Sequence, residues 1–429
     1  MERRIWFAIV GCLSLGAGAA ALSGCTTPAA LGTELVSGGK PAMVASAAVG
    51  EQLPPAINAF GLGLLKATAA AAEPNGNVVV SPLSVHAALS MTANGAVGDT
   101  LKEMRTVLRT DAMDPADANA QWAALLAGLA SRSPEQELDI ANALFANKSV
   151  VFKQPFLDAD RDYFGAQISE YDPAKDDVLG IVNGWVSKNT KGMIPKILDT
   201  VDPNAILYLA NAVYFKGDWV TPFAHESTSK DKFTRADGTT VGVDMMRMSE
   251  RLPYAENATM QATKLLYKGL DTSFYVMLPR PGVSLDAARA SLEGMGFSDM
   301  RAQMMDPNLG EVILALPKLN TSFGTTLNQP LIDMGMPKAF DSKQADFSGM
   351  AGLDVPIWIG RVLHKTKVIV DEKGTEAAAA TVVEMTAGTA APGEMQIPEI
   401  ICDRPYLFSI VDEKTGTMLF LGEVGDPTK

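Results

Sequence analysis

Histidine, cysteine and excess positive charge are all scarce in this 429-residue chain, and each scarcity removes a class of function. The three histidines, His86, His225 and His364, lie far apart with no zinc-ligand spacing, so no metal or other cofactor is expected. Lysine and arginine number 36 against 49 acidic residues, a net charge of −13, and no basic cluster interrupts that balance. Binding of nucleic acid or of a heparin-like polyanion therefore has no electrostatic footprint. The three cysteines are Cys12, Cys25 and Cys402. Beyond the first 25 residues, no stretch is long and apolar enough to span a bilayer. No short internal repeat and no second linker appear, so residues 51–429 read as one large domain.

The N-terminus reads as an export signal. Arg3 and Arg4 precede an apolar run from Ile5 to Leu22, which ends in Leu22-Ser23-Gly24-Cys25. That ending resembles a bacterial lipobox, which implies removal of residues 1–24 and lipidation of Cys25. Several acyl chains on one residue suffice for stable anchoring. Thr26 at the next position favours, by the same resemblance, the outer membrane or cell surface. Residues 25–50, rich in Ala, Gly, Ser, Thr and Pro, read as a flexible tether. With Cys12 removed and Cys25 acylated, Cys402 would stand alone, which excludes an internal disulfide.

Within the domain, NVVVSPLS from Asn77 reads as a short strand followed by a helix, with Ser81 as cap and Pro82 in the first turn. Residues 138–152 read as an alternating strand, and 181–198 as an amphipathic helix closed by Lys191-Gly192. Residues 205–219 form a nearly continuous apolar strand around Asn211, which needs hydrogen-bond partners if buried. Further strands fall at 274–279 and 311–319. The C-terminus is a hairpin joined by Asp412 to Gly416. Clustered strands with interspersed helices define an α+β fold.

The most informative segment is DEKGTEAAAATVVEMTA, residues 371–387. From Thr375, alternate residues form an uncharged face: Thr375, Ala377, Ala379, Thr381, Val383, Met385 and Ala387. Both Glu376 and Glu384 fall on the other face. Such alternation suits a half-buried strand, and no proline obstructs it. Gly374 supplies a hinge before it. The run Glu376-Ala377-Ala378-Ala379-Ala380 suits a helix start equally well, with Thr375 as cap, so the pattern by itself leaves both open.

Taken in order, NVVVSPLS at 77–84, LDIANALF at 138–145, NGWVSKNTKGMI at 183–194, LANAVYFKGDW at 209–219, LPKL at 316–319, VDEKGTEAAAAT at 370–381 and RPYLFSIVDEKTGTMLFLGEV at 404–424 strongly resemble the serpin family. The resemblance runs from about residue 55 to the C-terminus. It implies three β-sheets surrounded by about eight or nine helices, with an exposed reactive-centre loop. It also implies a suicide-substrate inhibitor of serine-type endopeptidases, whose cleaved loop enters the main sheet as a new strand and traps the acyl-enzyme. No catalytic residues are expected. The partner implied is a serine protease held in a covalent acyl complex by a monomeric inhibitor.

Residue by residue, the resemblance assigns a hinge to Glu372, Gly374, Thr375, Glu376, Ala377, Ala378, Ala379, Ala380 and Thr381. Ser81, Ser84, Asn211 and His364 match the shutter beneath the sheet; Trp219, Lys318 and Glu372 match the breach at its top. Family spacing puts the cleaved bond between Gly388 and Thr389. Counting back from Ile397-Pro398-Glu399 instead reaches Glu394-Met395, and Met385 and Ala387 offer better side-chain anchors than glycine. No Arg or Lys occurs from Met385 to Ala391, which favours an elastase-like or subtilisin-like target over a trypsin-like one. His86 and His225 receive no role.

Two rivals follow from the same residues. Ser227-Thr228-Ser229-Lys230 and Lys414-Thr415-Gly416 match two motifs of penicillin-recognising enzymes, but the intervening S-D-N element is missing. The stronger rival is a non-inhibitory serpin acting as a surface binding protein.

Overall fold

A computed structural model describes residues 50–429 except 132, 306–308, 353–355 and 376–396, together with two earlier strands at 5–14 and 34–36. Among the described residues, nine α-helices surround three β-sheets, as the fold class read from the sequence requires. The helices are α1 (Leu53–Ala69), α2 (Pro82–Ala93), α3 (Gly98–Val107), α4 (Pro115–Ala130), α5 (Gln154–Phe164), α6 (Val178–Asn189), α7 (Leu285–Ala290), α8 (Gly296–Gln303) and α9 (Asn328–Met334).

The largest sheet contains β1 (Ile5–Ser14), β2 (Glu34–Val36), β4 (Gln136–Asn147), β5 (Gln167–Tyr171), β6 (Ala205–Asp218), β13 (Leu319–Thr326), β14 (Ile357–Val370) and β15 (Gly374–Thr375). Its order is β13-β14-β1-β6-β4-β5-β2, with β15 also on β6. A second sheet combines β3 (Val78–Val80), β9 (Tyr254–Glu256), β10 (Met260–Leu266), β11 (Thr272–Pro279), β17 (Tyr406–Asp412) and β18 (Met418–Val424). The third comprises β7 (Ser229–Thr234), β8 (Thr240–Leu252), β12 (Gly310–Pro317) and β16 (Glu399–Ile401).

Alternation along β6 divides the core in two. Leu207, Leu209, Val213 and Phe215 join the main core shared with α1, α2 and the second sheet. Tyr208, Ala210 and Ala212 face the opposite way, into a smaller core under α6 with Phe145, Val182 and Trp185. Both faces of β6 are thus covered, which explains why its sequence is continuously apolar rather than alternating with charge.

Local sequence signals set most boundaries. Ser81 caps α2, its Oγ accepting from Ser84 N at 3.1 Å, and Pro82 occupies the first turn. The helix read over 181–198 is shorter and earlier than its apolar pattern suggests. Asp177 caps it at Gly180 N (2.9 Å), and it ends at Asn189. Lys191 and Gly192, with φ of +47° and +83°, then turn the chain away. The apolar residues beyond, Ile194, Ile197 and Leu198, are buried without being helical. The strand read over 311–319 is two strands, β12 and β13, belonging to different sheets and joined through Lys318.

Ser81 also donates from its Oγ to Leu419 O at 2.7 Å, tying α2 to β18. Replacing Ser81 by Ala removes the cap and leaves that carbonyl unpaired in the core. The expected loss is about 2 kcal/mol, read as a lower urea midpoint at unchanged m-value.

Candidate functional site: the end and centre of the main sheet

The turn Asp371-Glu372-Lys373-Gly374 follows β14 and reverses the chain. Asp371 N donates to Gly374 O at 3.0 Å, and Asp371 Oδ1 accepts from Lys373 N (2.9 Å) and Gly374 N (3.3 Å). The reversal delivers Gly374 opposite Asp218 and Thr375 opposite Gly217, antiparallel to β6. Gly374 is required here for close approach rather than for a positive φ. A Cβ on it would lie 2.2 Å from Gly217 O and 2.8 Å from Asp218 Cα, both backbone atoms. Thr375 is fully buried, and its Oγ1 lies 2.5 Å from Tyr267 Oη. Thr375 is therefore a paired strand residue, and the helix-cap alternative does not hold at this position.

The side chains expected at the breach do meet. Lys318 Nζ lies 2.7 Å from Glu372 Oε2. Trp219 Nε1 donates to Asp371 O at 3.0 Å, and Trp219 N donates to Lys373 O at 2.7 Å. The Trp219 ring stacks on Tyr267 at 4.5 Å between centroids. Two partners of Glu372 were not visible in the sequence. Thr228 Oγ1 donates to Glu372 Oε1 at 2.9 Å, and His225 Nδ1 sits 3.2 Å from the same oxygen. Both belong to a short 3₁₀ turn and the residue after it, His225–Ser227 and Thr228. His225, to which no role was assigned, is thus a contact of the hinge anchor, though its own side chain is 85% exposed.

The shutter residues divide into two groups. Ser81 N donates to His364 Nε2 at 3.2 Å, and Ser84 N to Ser81 Oγ, so three of the four form one cluster. Asn211 instead donates from Nδ2 to Asn142 Oδ1 at 2.6 Å, and Asn142 Nδ2 donates onward to Phe164 O at 2.7 Å. The separation has a plain cause. β1 runs between β6 and β14, parallel to both, and Gly11 pairs with Asn211 on one side and His364 on the other. Asn211 and His364 occupy one row of the sheet with a single strand between them. Part of the segment expected to be a removable leader, Ile5–Ser14, is a strand of this sheet.

Several candidates fall outside the described residues: Cys25, the hinge from Glu376 to Thr381, and Met385, Ala387, Gly388, Thr389, Glu394 and Met395. Cys402 is buried, and burial pushes its thiol well above the usual cysteine range. Ser227 closes a 3₁₀ turn and Lys414–Gly416 fills the turn between β17 and β18, so neither motif of the penicillin-recognising type sits in its required helix or strand.

The family profile described as Serpin (serine protease inhibitor) matches residues 55–427. The chain belongs to the serpin family. A serpin-like protein of Thermococcus kodakarensis is 34% identical over 381 residues, spanning 87% of this chain and 85% of the relative. The leukocyte elastase inhibitor of Bos taurus is 32% identical, over 88% of this chain and all of the relative. Among solved structures, the thermophilic serpin tengpin in its native state superposes with a TM-score of 0.82 at 30% identity, over 92% of this chain and 100% of that one.

Burial would push the Glu372 carboxyl up, but Lys318, Thr228 and the local backbone outweigh it and bring its pKa down to about 2. A depressed folded-state value stabilises the protein above the unfolded value of 4.5, and that contribution is lost as pH falls from 4.5 towards 2. Glu372→Gln is therefore expected to cost about 2–3 kcal/mol at pH 7. The gap between wild type and variant should close below pH 3 in parallel urea titrations.

Proposed function

We propose that this chain is an inhibitory serpin, a suicide substrate for serine-type endopeptidases that traps the acyl-enzyme by inserting its cleaved loop into the main sheet. One observation carries the reading: Gly374 and Thr375 are already paired to β6, antiparallel, at the top of the space between β6 and β14. Each further loop residue would step one position down β6. Gly374 to Ala387 would then run opposite Asp218 to Ala205, the full 14 residues of that strand. At about 3.3 Å per residue this carries the end of the loop roughly 45 Å, the scale needed to displace an attached protease.

In the chemical step, the protease serine oxygen attacks the carbonyl carbon of Gly388. The Gly388–Thr389 bond breaks, Thr389 leaves as a free amine, and Gly388 remains as an ester on the protease. Insertion then competes with hydrolysis of that ester. The inserted residues facing the main core would be those in step with Thr375, namely Ala377, Ala379, Thr381, Val383 and Met385, none of them charged. Glu376 and Glu384 would face the other side. Several relatives are named for elastase inhibition, and the small and apolar residues from Met385 to Ala391 fit a protease with a small apolar specificity pocket.

Removal of residues 1–24 would vacate the row that β1 occupies beside Asn211 and His364. We place the mature protein on the outer membrane or cell surface, as a monomer anchored only through acylated Cys25.

Incubation with elastase-like and subtilisin-like proteases should give an SDS-resistant complex, and sequencing of the released fragment should begin at Thr389. Clipped chain alone, with no complex for any protease, would leave a binding protein as the surviving reading. Thr375→Arg places a charge in the fully buried pocket beside Tyr267. Cleavage should continue in that variant while the number of inhibitor molecules consumed per protease rises at least tenfold. For the anchor, Cys25→Ser should shift the protein from the membrane to the soluble fraction of its host cell. An unchanged distribution would remove the lipoprotein assignment.

A further inference from the structure

Most of the row between β6 and β14 is held by β1. Trp6 to Ser14 pair with Ala205 to Tyr214 of β6, and Ile5 to Cys12 with Ile357 to Lys365 of β14, parallel on both sides. A strand bonded along both edges and covered on both faces needs a continuous apolar sequence. Ile5–Ser14, IWFAIVGCLS, is one: it contains no charge and no proline. The cover is present on each side of the row. α2 packs against β1 from the main core. On the opposite face the chain after α6 crosses from β4 to β14. Lys191 Nζ lies 3.1 Å from Asp139 Oδ2 of β4 at one end of that crossing. At the other, Arg361 Nη2 donates to Thr200 O at 2.8 Å and Lys365 Nζ to Lys196 O at 3.1 Å.

This occupancy limits the strand that β15 begins. Gly374 faces Asp218 and Thr375 faces Gly217, so the next three residues would face Lys216, Phe215 and Tyr214 in turn. Tyr214 is already the partner of Ser14. The loop could therefore lengthen β15 only by Glu376 and Ala377 before Ala378 met the end of β1. Two chains cannot pair with the same edge of β6 at the same residue.

We propose that β1 is an internal lock: while residues 5–14 hold the row, a cleaved loop cannot enter the sheet, and the chain is a substrate rather than an inhibitor. The inference rests on the inhibitory reading above. It sets an order of events, in which loss of the leader precedes any trapping of a protease. Hydrolysis of the Gly24–Cys25 peptide bond consumes one water, leaves a carboxylate on Gly24 and an amine on Cys25, and cuts β1 from the domain. Before the cut, the tether holds β1 at a high effective concentration beside the row. After it, return of the peptide is bimolecular and dilution empties the row. The unprocessed chain is thus inactive against proteases by construction.

The test compares the purified full chain, leader retained, with Val10→Pro and Ile9→Asp in the same chain. Both substitutions lie outside the family match at 55–427, so they act on β1 and not on the domain. Proline removes a ladder donor from a strand bonded on both edges, and aspartate buries a charge whichever face it meets. Amides of residues 5–14 should exchange with solvent at least about a hundredfold more slowly in the unaltered chain than in either variant. After loop cleavage between Met385 and Met395, the melting temperature of the unaltered chain should move by less than about 3 °C. That of the variants should rise by on the order of 20 °C. The unaltered chain should also consume at least about ten times more inhibitor molecules per protease than the variants. Fast exchange at residues 5–14 of the unaltered chain overturns the proposal, as does a gain on cleavage equal to that of the variants. Slow exchange there, with no gain in any of the three chains, overturns the inhibitory reading and the lock together.

Discussion

The constraint on which the rest of this structure depends is the separation of β6 from β14 by the width of one strand. A strand edge carries a row of backbone donors and acceptors, and two such edges facing one another inside a covered sheet must both be satisfied. β1 satisfies the lower part of the row, opposite residues 205–214 of β6, and β15 satisfies the top, opposite Gly217 and Asp218. The two segments run in opposite directions, one parallel to β6 and one antiparallel. They cover different stretches of the same strand, side by side in one sheet. A segment filling the whole row gains backbone hydrogen bonds on both sides, each contributing about 0.5–1.5 kcal/mol net. Fourteen residues of strand can therefore contribute on the order of 10 kcal/mol, enough to drive an irreversible rearrangement.

On the proposed inhibitory reading, such a driving force would be useful only if one end of the inserting segment were fixed. The anchor at Glu372 supplies this, and its chemistry explains why it is built from so many elements. The carboxylate is nearly buried, so its charge is tolerable only with partners on both oxygens. Lys318 takes one and Thr228 the other, with His225 at the same edge. The anchor lies before Gly374, where pairing to β6 has already begun. On the proposed inhibitory reading its contacts would not oppose insertion; they would hold the start of the strand in register while the remainder followed.

How much of this was legible in the sequence depends on the range of the interaction. Ser81 and Pro82 are local signals, and α2 begins where they say. The C-terminal hairpin follows from two apolar runs and a turn. The apolar pattern over 181–198 misled about the length of α6, because Ile194 and Leu198 are buried by packing beneath a non-helical segment, which periodicity cannot distinguish from helix. Asn211 was correctly expected to need a partner, but Asn142 lies 69 residues away and on another strand. His225 and Thr228 were unreadable as anchors, since nothing local marks a residue that contacts a carboxylate more than 140 positions later. The reason for Gly374 was also hidden: the sequence suggests a flexible hinge, whereas the geometry shows a position too close to the β6 backbone for any side chain.

The placement of α2 connects the sheet to the helical side of the molecule. Its first turn lies beneath the strands, with Ser81 bonded to His364 of β14 and to Leu419 of β18. Its last turn, through Asn94, is bonded to Asp160 of α5 and Asn119 of α4. A 12-residue helix is rigid over about 18 Å, so any displacement of His364 would act on one end of a rod whose other end is held by polar contacts. Burial pushes the Asp160 carboxyl well above the usual carboxylate range, disfavouring its charged form, with the Asn94 hydrogen bond acting the other way. On the proposed reading, a change in the sheet's occupancy would leave the hydrogen bonds of the supporting helices intact only if α2 tilted as a unit, because both of its ends are held.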